Sequence, residues 1–226
     1  SNFAAEQNFD HIYDTLTEAK MSLLVKTGTF TKAQSATPGS QVITGVGFQP
    51  KAVIFWWTRQ TSYGESSRVR VGYGFATHDG GTYQNYGVAF ASDDGANPSN
   101  TGRRRSATYS IIILSDGTPT MAAQASVISF DSDGFTLNWQ TNEARADIID
   151  YIALSGVSLT NAKAGSFSLT ATSGTQDVTG IGFQPDFSMF LWTFTETADA
   201  NTQHAEIGLG FARSSAKRGA LVAVSE

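Results

Sequence analysis

Along much of the chain hydrophobic side chains alternate with small or polar ones, with a period of two. Val69, Val71, Tyr73 and Phe75 alternate with Arg70, Gly72 and Gly74. Further on, Ile207, Leu209 and Phe211 alternate with Glu206, Gly208 and Gly210. This period marks half-buried strands, each with one apolar face and one nearly bare face. Glycines weaken a strand interior, so their pairing on the bare, outer face suggests that a bulky ring or another backbone lies close against them. Ala52 to Trp57 is apolar on both faces and reads as a central strand of a sandwich core. Its counterpart keeps Phe187, Met189 and Leu191 on one side.

Further strands are expected over 87–92, 108–114, 120–130, 135–139 and 148–154. The run Phe130-Asp131-Ser132-Asp133-Gly134-Phe135 reads as a tight hairpin turned at Asp-Gly. Many short strands separated by Gly, Asp and Asn turns make an all-β protein, an antiparallel β-sandwich or jelly roll. The N-terminus departs from this pattern. Phe9, Ile12, Tyr13, Leu16, Ala19 and Leu23 follow helical spacing, with Asn8 as the cap. A short N-terminal helix must bury that stripe, either on its own sandwich or, as a docking segment, against a partner subunit.

The strand pattern occurs twice. Gly45-Val46-Gly47-Phe48-Gln49-Pro50 returns as Gly180-Ile181-Gly182-Phe183-Gln184-Pro185. Upstream, Thr27 to Thr31 matches Ala164 to Ser168, and Gly39-Ser40-Gln41 matches Gly174-Thr175-Gln176. Downstream, Ile54 to Thr58 matches Met189 to Thr193, and Val71 to Ala76 matches Ile207 to Ala212. The order is kept, and the offset drifts only between 135 (Gly45 to Gly180) and 137 (Gly28 to Gly165). Such a long period points to duplicated domains rather than a short-repeat solenoid. The expected organisation is a helical docking segment over 1–25, a complete repeat over 26–161 and a shortened copy over 162–226. That copy lacks about 65 to 70 residues of its counterpart, so either the chain is a fragment or a neighbouring subunit supplies the missing strands.

Composition agrees with a folded protein: 40% hydrophobic, 12% aromatic and 15% charged residues, with 22 Gly for turns. A net charge of −5 offers no global attraction to nucleic acid or an anionic membrane, and Arg103-Arg104-Arg105, read as a loop, is the one basic cluster. With no cysteine, disulfides, thiolate catalysis and Cys-ligated metals all drop out. No apolar run is long enough to span a bilayer, and no secretory leader opens the sequence. Ser1 reads as a first residue left after removal of an initiator Met, with synthesis in a cytoplasm.

Candidate chemistry is thin. Of His11, His78 and His204, only His78 has an adjacent acid, Asp79, and the second copy carries Ser214-Ser215 at that place. Nucleophile elbows, zinc helices and phosphate-cradling loops are missing, so no catalytic residue, cofactor or metal site is expected. Asp131-x-Asp133-Gly134 resembles a calcium loop superficially, but Ser129 and Gln140 stand where its end carboxylates belong, which favours a hairpin turn. Asp93-Asp94-Gly95 with Asn97 reads as a solvated turn. Trp57 and Trp192 hold equivalent positions at strand ends, where they form either a duplicated sugar-stacking platform or part of the core; Trp139 reads as core.

Residues 45–57, 72–76, 92–95, 102–104, 129–139 and 151–154 resemble a family of uncharacterised repeat domains associated with tailed-bacteriophage virion proteins. The resemblance spans most of 26–161 and the corresponding part of the second copy. Members often have Gly where Ser155 stands here. What it implies is a setting: modules of tail fibres, head fibres or capsid surfaces, on the outside of the particle. The implied partners are other virion proteins and further copies of the chain, and a host-surface glycan in the lectin-like alternative. No catalytic residues accompany the resemblance.

Overall fold

The computed structural model describes residues 22–93, 100–116, 120–194 and 197–225. Their regular elements are all strands: β1 (Leu23–Thr31), β2 (Gly39–Thr44), β3 (Ala52–Trp57), β4 (Val69–Asp79), β5 (Thr82–Ser92), β6 (Thr101–Ser106) and β7 (Ile111–Leu114), followed by β8 (Met121–Asp131), β9 (Gly134–Thr141), β10 (Ile148–Gly156), β11 (Ser188–Trp192), β12 (Thr202–Gln203), β13 (Ala205–Ser214) and β14 (Lys217–Ser225). The chain is therefore all-β, as its alternation requires. The expected helix bearing Phe9, Ile12, Tyr13 and Leu16 lies outside the described residues.

Every strand pair is antiparallel. A seven-stranded sheet, ordered β1-β10-β3-β4-β5-β6-β12, faces a four-stranded sheet, β2-β9-β8-β7. Their facing sides enclose the main core, where Phe55 meets Phe135 edge-on at 5.5 Å and Phe135 meets Tyr151 at 5.3 Å. Ile111, Ile112 and Ile113 fill the same layer. As expected, β3 is central, flanked by β10 and β4, and Asp131 pairs with Gly134 across the β8–β9 hairpin.

A third sheet, β11-β13-β14, comes from the second copy and stacks on the outer face of β5. Ile207 and Leu191 pack there against Val71, Tyr73, Val88 and Phe90. This arrangement reverses the orientation expected for β4. Its glycine face, not its apolar face, looks into the sandwich, because the middle sheet is covered on both sides. The close neighbours expected beside the glycines are present: a Cβ on Gly72 would overlap the Trp57 ring, and one on Gly74 would overlap the Ser110 carbonyl.

Two local expectations are corrected. Arg103-Arg104-Arg105 is part of strand β6, not a loop. It pairs with β5 along one edge and meets the second copy along the other: Thr202 pairs with Arg103, the Asp199 amide donates to the Arg105 carbonyl at 2.8 Å, and the Arg104 guanidinium donates to Asn201 at 3.1 Å. Strand β7 begins at Ile111 rather than Thr108, because Ser106 Oγ accepts the amides of Thr108 and Tyr109 at 3.0 Å each and holds a turn there.

Candidate interaction surface

The two copies share local geometry as well as sequence. The Gln41 side chain donates to the Thr31 carbonyl at 2.8 Å and accepts the Ala33 amide at 2.9 Å. Gln176 repeats both bonds, to the Ser168 carbonyl at 2.7 Å and the Thr170 amide at 3.2 Å. Phe55 lies opposite Gly74, and Phe190 opposite Gly210. The Trp57 ring covers Gly72, and the Trp192 ring covers Gly208. Val69 pairs with Ser92, and Ala205 with Ser225, so β14 ends at the same register as β5.

What covers these equivalent positions differs. In the first copy the four-stranded sheet seals the inner face, and Phe55 is 0% exposed. In the second, β11, β13 and β14 turn the same face outward: Phe190 is 36% exposed, Val222 50% and Val224 62%. The segment 174–179, equivalent to β2, forms no strand, and Val178 is exposed where Ile43 is buried. Strand β2 owes its ladder to β9, and among the described residues nothing plays the part of β9 for the second copy. The result is a broad apolar surface with an unpaired edge on β11, which is the kind of face that associates with another protein.

The repeated Gly-x-Gly-Phe-Gln-Pro motif has directional chemistry of its own, and in the second copy it borders a hollow lined by Lys51, His78, Asp79 and Lys163. Gly45 and Gly47 adopt φ of 84° and 86°, which turns their amides to one side. Both donate to the Asp133 carboxylate, at 3.0 and 2.6 Å, and Gln49 donates to the Phe130 carbonyl at 2.6 Å. The Gly47 and Gly45 bonds hold the Asp133 carboxyl below the usual carboxylate range. Gly180 and Gly182 repeat the backbone shape, with φ of 79° and 86°. Among the described residues, however, no hydrogen bond reaches either amide. The motif is thus a clamp for an aspartate on a hairpin turn, closed in the first copy and open in the second.

Trp57 and Trp192 separate in role. Trp57 is 2% exposed and packs in the core, so neither ring face is free to stack on a sugar; Trp192 is half-buried and borders the open face. Trp139 is buried, and its indole N–H donates to Gln41 at 2.9 Å. His78 and Asp79 do not form a dyad: His78 stacks on Tyr83 at 4.4 Å, and Asp79 pairs with Lys163 at 3.0 Å. The Asp131 carboxylate accepts the Thr136 hydroxyl at 2.7 Å, as befits a hairpin turn.

A network of charges at one end of the sandwich escaped the sequence reading. Arg70 and Asp93, both buried, form a direct ion pair, and Arg70 also donates to the Ser115, Val69 and Ser92 carbonyls. Arg59 bridges Asp116 at 2.6 Å and Glu143 at 3.0 Å. Burial pushes the Asp116 carboxyl up, but the hydrogen bond and charge of Arg59, with Arg70 and Arg145, outweigh it and hold the group below its ordinary value. Asp147 goes the other way: burial raises its carboxyl despite Arg145 at 2.7 Å, and its second oxygen has no hydrogen-bond partner. Lys32 is buried over the Trp139 ring, donates to Asn142 and to the Glu143 carbonyl at 2.7 Å each, and is lowered by burial. The usable signal was Arg70 on the glycine face of β4, since a cation pointing into a sandwich needs an acid at a neighbouring strand end.

No protein-family model, curated protein or solved structure matches the chain. Most of the carboxylates and guanidinium groups described above are engaged with each other. On the second copy's sheet the exposed groups include the apolar side chains of Phe190, Val222 and Val224 and the unpaired edge of β11.

Proposed function

We propose that the chain is a non-enzymatic structural protein of a bacteriophage particle, a fibre, decoration or capsid- or tail-surface component. It acts through its β-sandwich repeats and assembles with other virion proteins and copies of itself. One observation carries the assembly part of this reading: the face that buries Phe55 in the first copy leaves Phe190, Val222 and Val224 partly exposed in the second. A sheet face of that kind is costly to leave wet and gains about 25 cal/mol for each Å² of apolar surface covered. The phage setting comes from the motif resemblance, and the net charge of −5 fits a protein–protein rather than a nucleic-acid role.

Particles assembled in cells producing this chain provide the test. Quantitative mass spectrometry of purified particles is expected to find the chain in fixed stoichiometry, and Phe190→Asp with Val222→Asp is expected to remove it while the first repeat stays folded. A chain missing from particles, or incorporated equally well with both substitutions, would overturn the reading. The second reading, a carbohydrate-binding receptor module, draws its support from the half-open Trp192 ring at the border of the exposed face. It predicts saturable binding on a glycan array that is lost on Trp192→Ala.

A further inference from the structure

Strand β1 ends at Thr31, and the next side chain, Lys32, is 1% exposed. Its amino group lies 2.7 Å from the Asn142 carboxamide oxygen and 2.7 Å from the Glu143 carbonyl, with the Ala33 carbonyl at 3.5 Å and the Trp139 ring centroid at 5.6 Å. None of these partners is a carboxylate. The carboxamide is itself held at both ends: its oxygen also accepts the Glu143 amide at 3.0 Å, and its nitrogen donates to the Ala33 carbonyl at 3.0 Å. Burial lowers the Lys32 amine, and the charges of Asp147 and Glu143 offset that effect only in part. The neutral, nucleophilic form is therefore more populated than in an exposed lysine. The repeat does not require a lysine at this place. Gln41 bonds to the backbone of Thr31 and Ala33, on either side of Lys32, and Gln176 makes the same two bonds around Leu169.

We propose that Lys32 and Asn142 are a self-crosslinking pair, in which the Lys32 amine attacks the side-chain carbonyl carbon of Asn142 to form an isopeptide bond. The Nζ–Cγ bond forms and the Cγ–Nδ2 bond breaks. One proton of the neutral amine passes to the departing nitrogen, which leaves as ammonia, and the other remains as the N–H of the new amide. The exchange is redox-neutral and needs no co-reactant. The Glu143 amide, already bonded to Oδ1, stabilises the negative charge that develops there during the attack. The product suits the site: its carbonyl keeps the Glu143 N–H, its own N–H keeps the Glu143 carbonyl, and a buried cation is removed. The bond ties the end of β1, in the seven-stranded sheet, to the residue that follows β9, in the four-stranded sheet. It thus staples the two layers of the sandwich and constrains the unfolded chain as a disulfide does, in a sequence without cysteine. This inference stands apart from the assembly reading.

The full chain, purified and incubated at neutral pH, is the material for the test. Intact-mass spectrometry is expected to give a mass about 17 Da below that of the sequence, the loss of one ammonia. Trypsin is expected to release residues 27–51 joined to residues 106–145, with fragment ions placing the junction at Lys32 and Asn142. Lys32→Met and Asn142→Ala are each expected to restore the full mass and abolish the joined peptide. A native chain at the full sequence mass, with no joined peptide, overturns the proposal, and because that measurement needs no variant, a misfolded substitution does not affect it. The same loss confined to the 106–145 peptide alone also overturns it, since Asn142 would then have cyclised on its own backbone.

Discussion

Phe55 and Phe190 stand opposite equivalent glycines, Gly74 and Gly210, in equivalent strand pairs, but Phe135 of β9 closes over Phe55 at 5.5 Å inside a sealed core, whereas Phe190 meets Phe167 edge-on at 6.3 Å and stays 36% exposed. Two side chains of the same kind, at the same register, therefore make unequal contributions. Phe55→Ala leaves a cavity inside a sealed core and is expected to cost about 3–5 kcal/mol. Phe190→Ala removes a ring that solvent already reaches and is expected to cost less than about 1 kcal/mol in the chain alone. Urea denaturation of the two variants checks this. Equal losses would mean that the second face is covered in solution.

Gly72 sits beneath the Trp57 ring with no room for a methyl group. Gly72→Ala must displace an indole that is itself packed into the core, and is expected to cost about 1–3 kcal/mol. Trp57→Leu opens that space while creating a cavity of its own. In a double-mutant cycle Gly72→Ala is therefore expected to do less harm in the Trp57→Leu background than beside the native indole. Strictly additive losses would show that the ring does not set the requirement for glycine.

Alternation revealed the strands, the duplication and the presence of something bulky against the glycines, because those features are written in neighbouring residues. It did not reveal which face of β4 looks inward. That depends on a third sheet contributed by residues more than a hundred positions later, through Ile207 and Leu191. The open face was legible as a shortened repeat, but the clamp was not: Asp133 and Gly45 are far apart in sequence, and only the fold brings the hairpin turn to the motif. The ionic network stayed hidden for a similar reason, since Arg59, Arg70, Asp93, Asp116 and Glu143 come from five separate strand ends.

Arg70 and Asp93 are both buried, so each is the other's replacement for water. Asp93→Ala leaves the guanidinium with carbonyl partners and the more distant Asp116 at 3.6 Å. Breaking a buried pair from one side is expected to cost about 3–5 kcal/mol. Asp116→Ala, at the more exposed edge of the same network, is expected to cost about 1 kcal/mol. Thermal and urea unfolding give both values, and the ranking fails if Asp116→Ala proves the more damaging change.

Asp147 gives the fold a pH dependence of unusual sign. Its carboxyl is raised by burial, with the Arg145 hydrogen bond and charge opposing but not cancelling that effect. The folded state therefore binds this proton more tightly than the unfolded chain, whose Asp titrates near about 3.9. Its stabilising contribution is complete below that value and is lost as the pH rises through the raised folded pKa. Asp116 and Asp133, both held low, act oppositely, and their contribution disappears only as the pH falls below about 4. Above pH 4 the Asp147 effect is thus separable from theirs. Asp147→Asn keeps the shape and removes the titration. The stability of the variant relative to the parent is expected to rise with pH across this window, read from urea midpoints at successive pH values. Parallel curves for the two proteins from pH 4 upward would show that this carboxyl is ionised in the folded chain throughout.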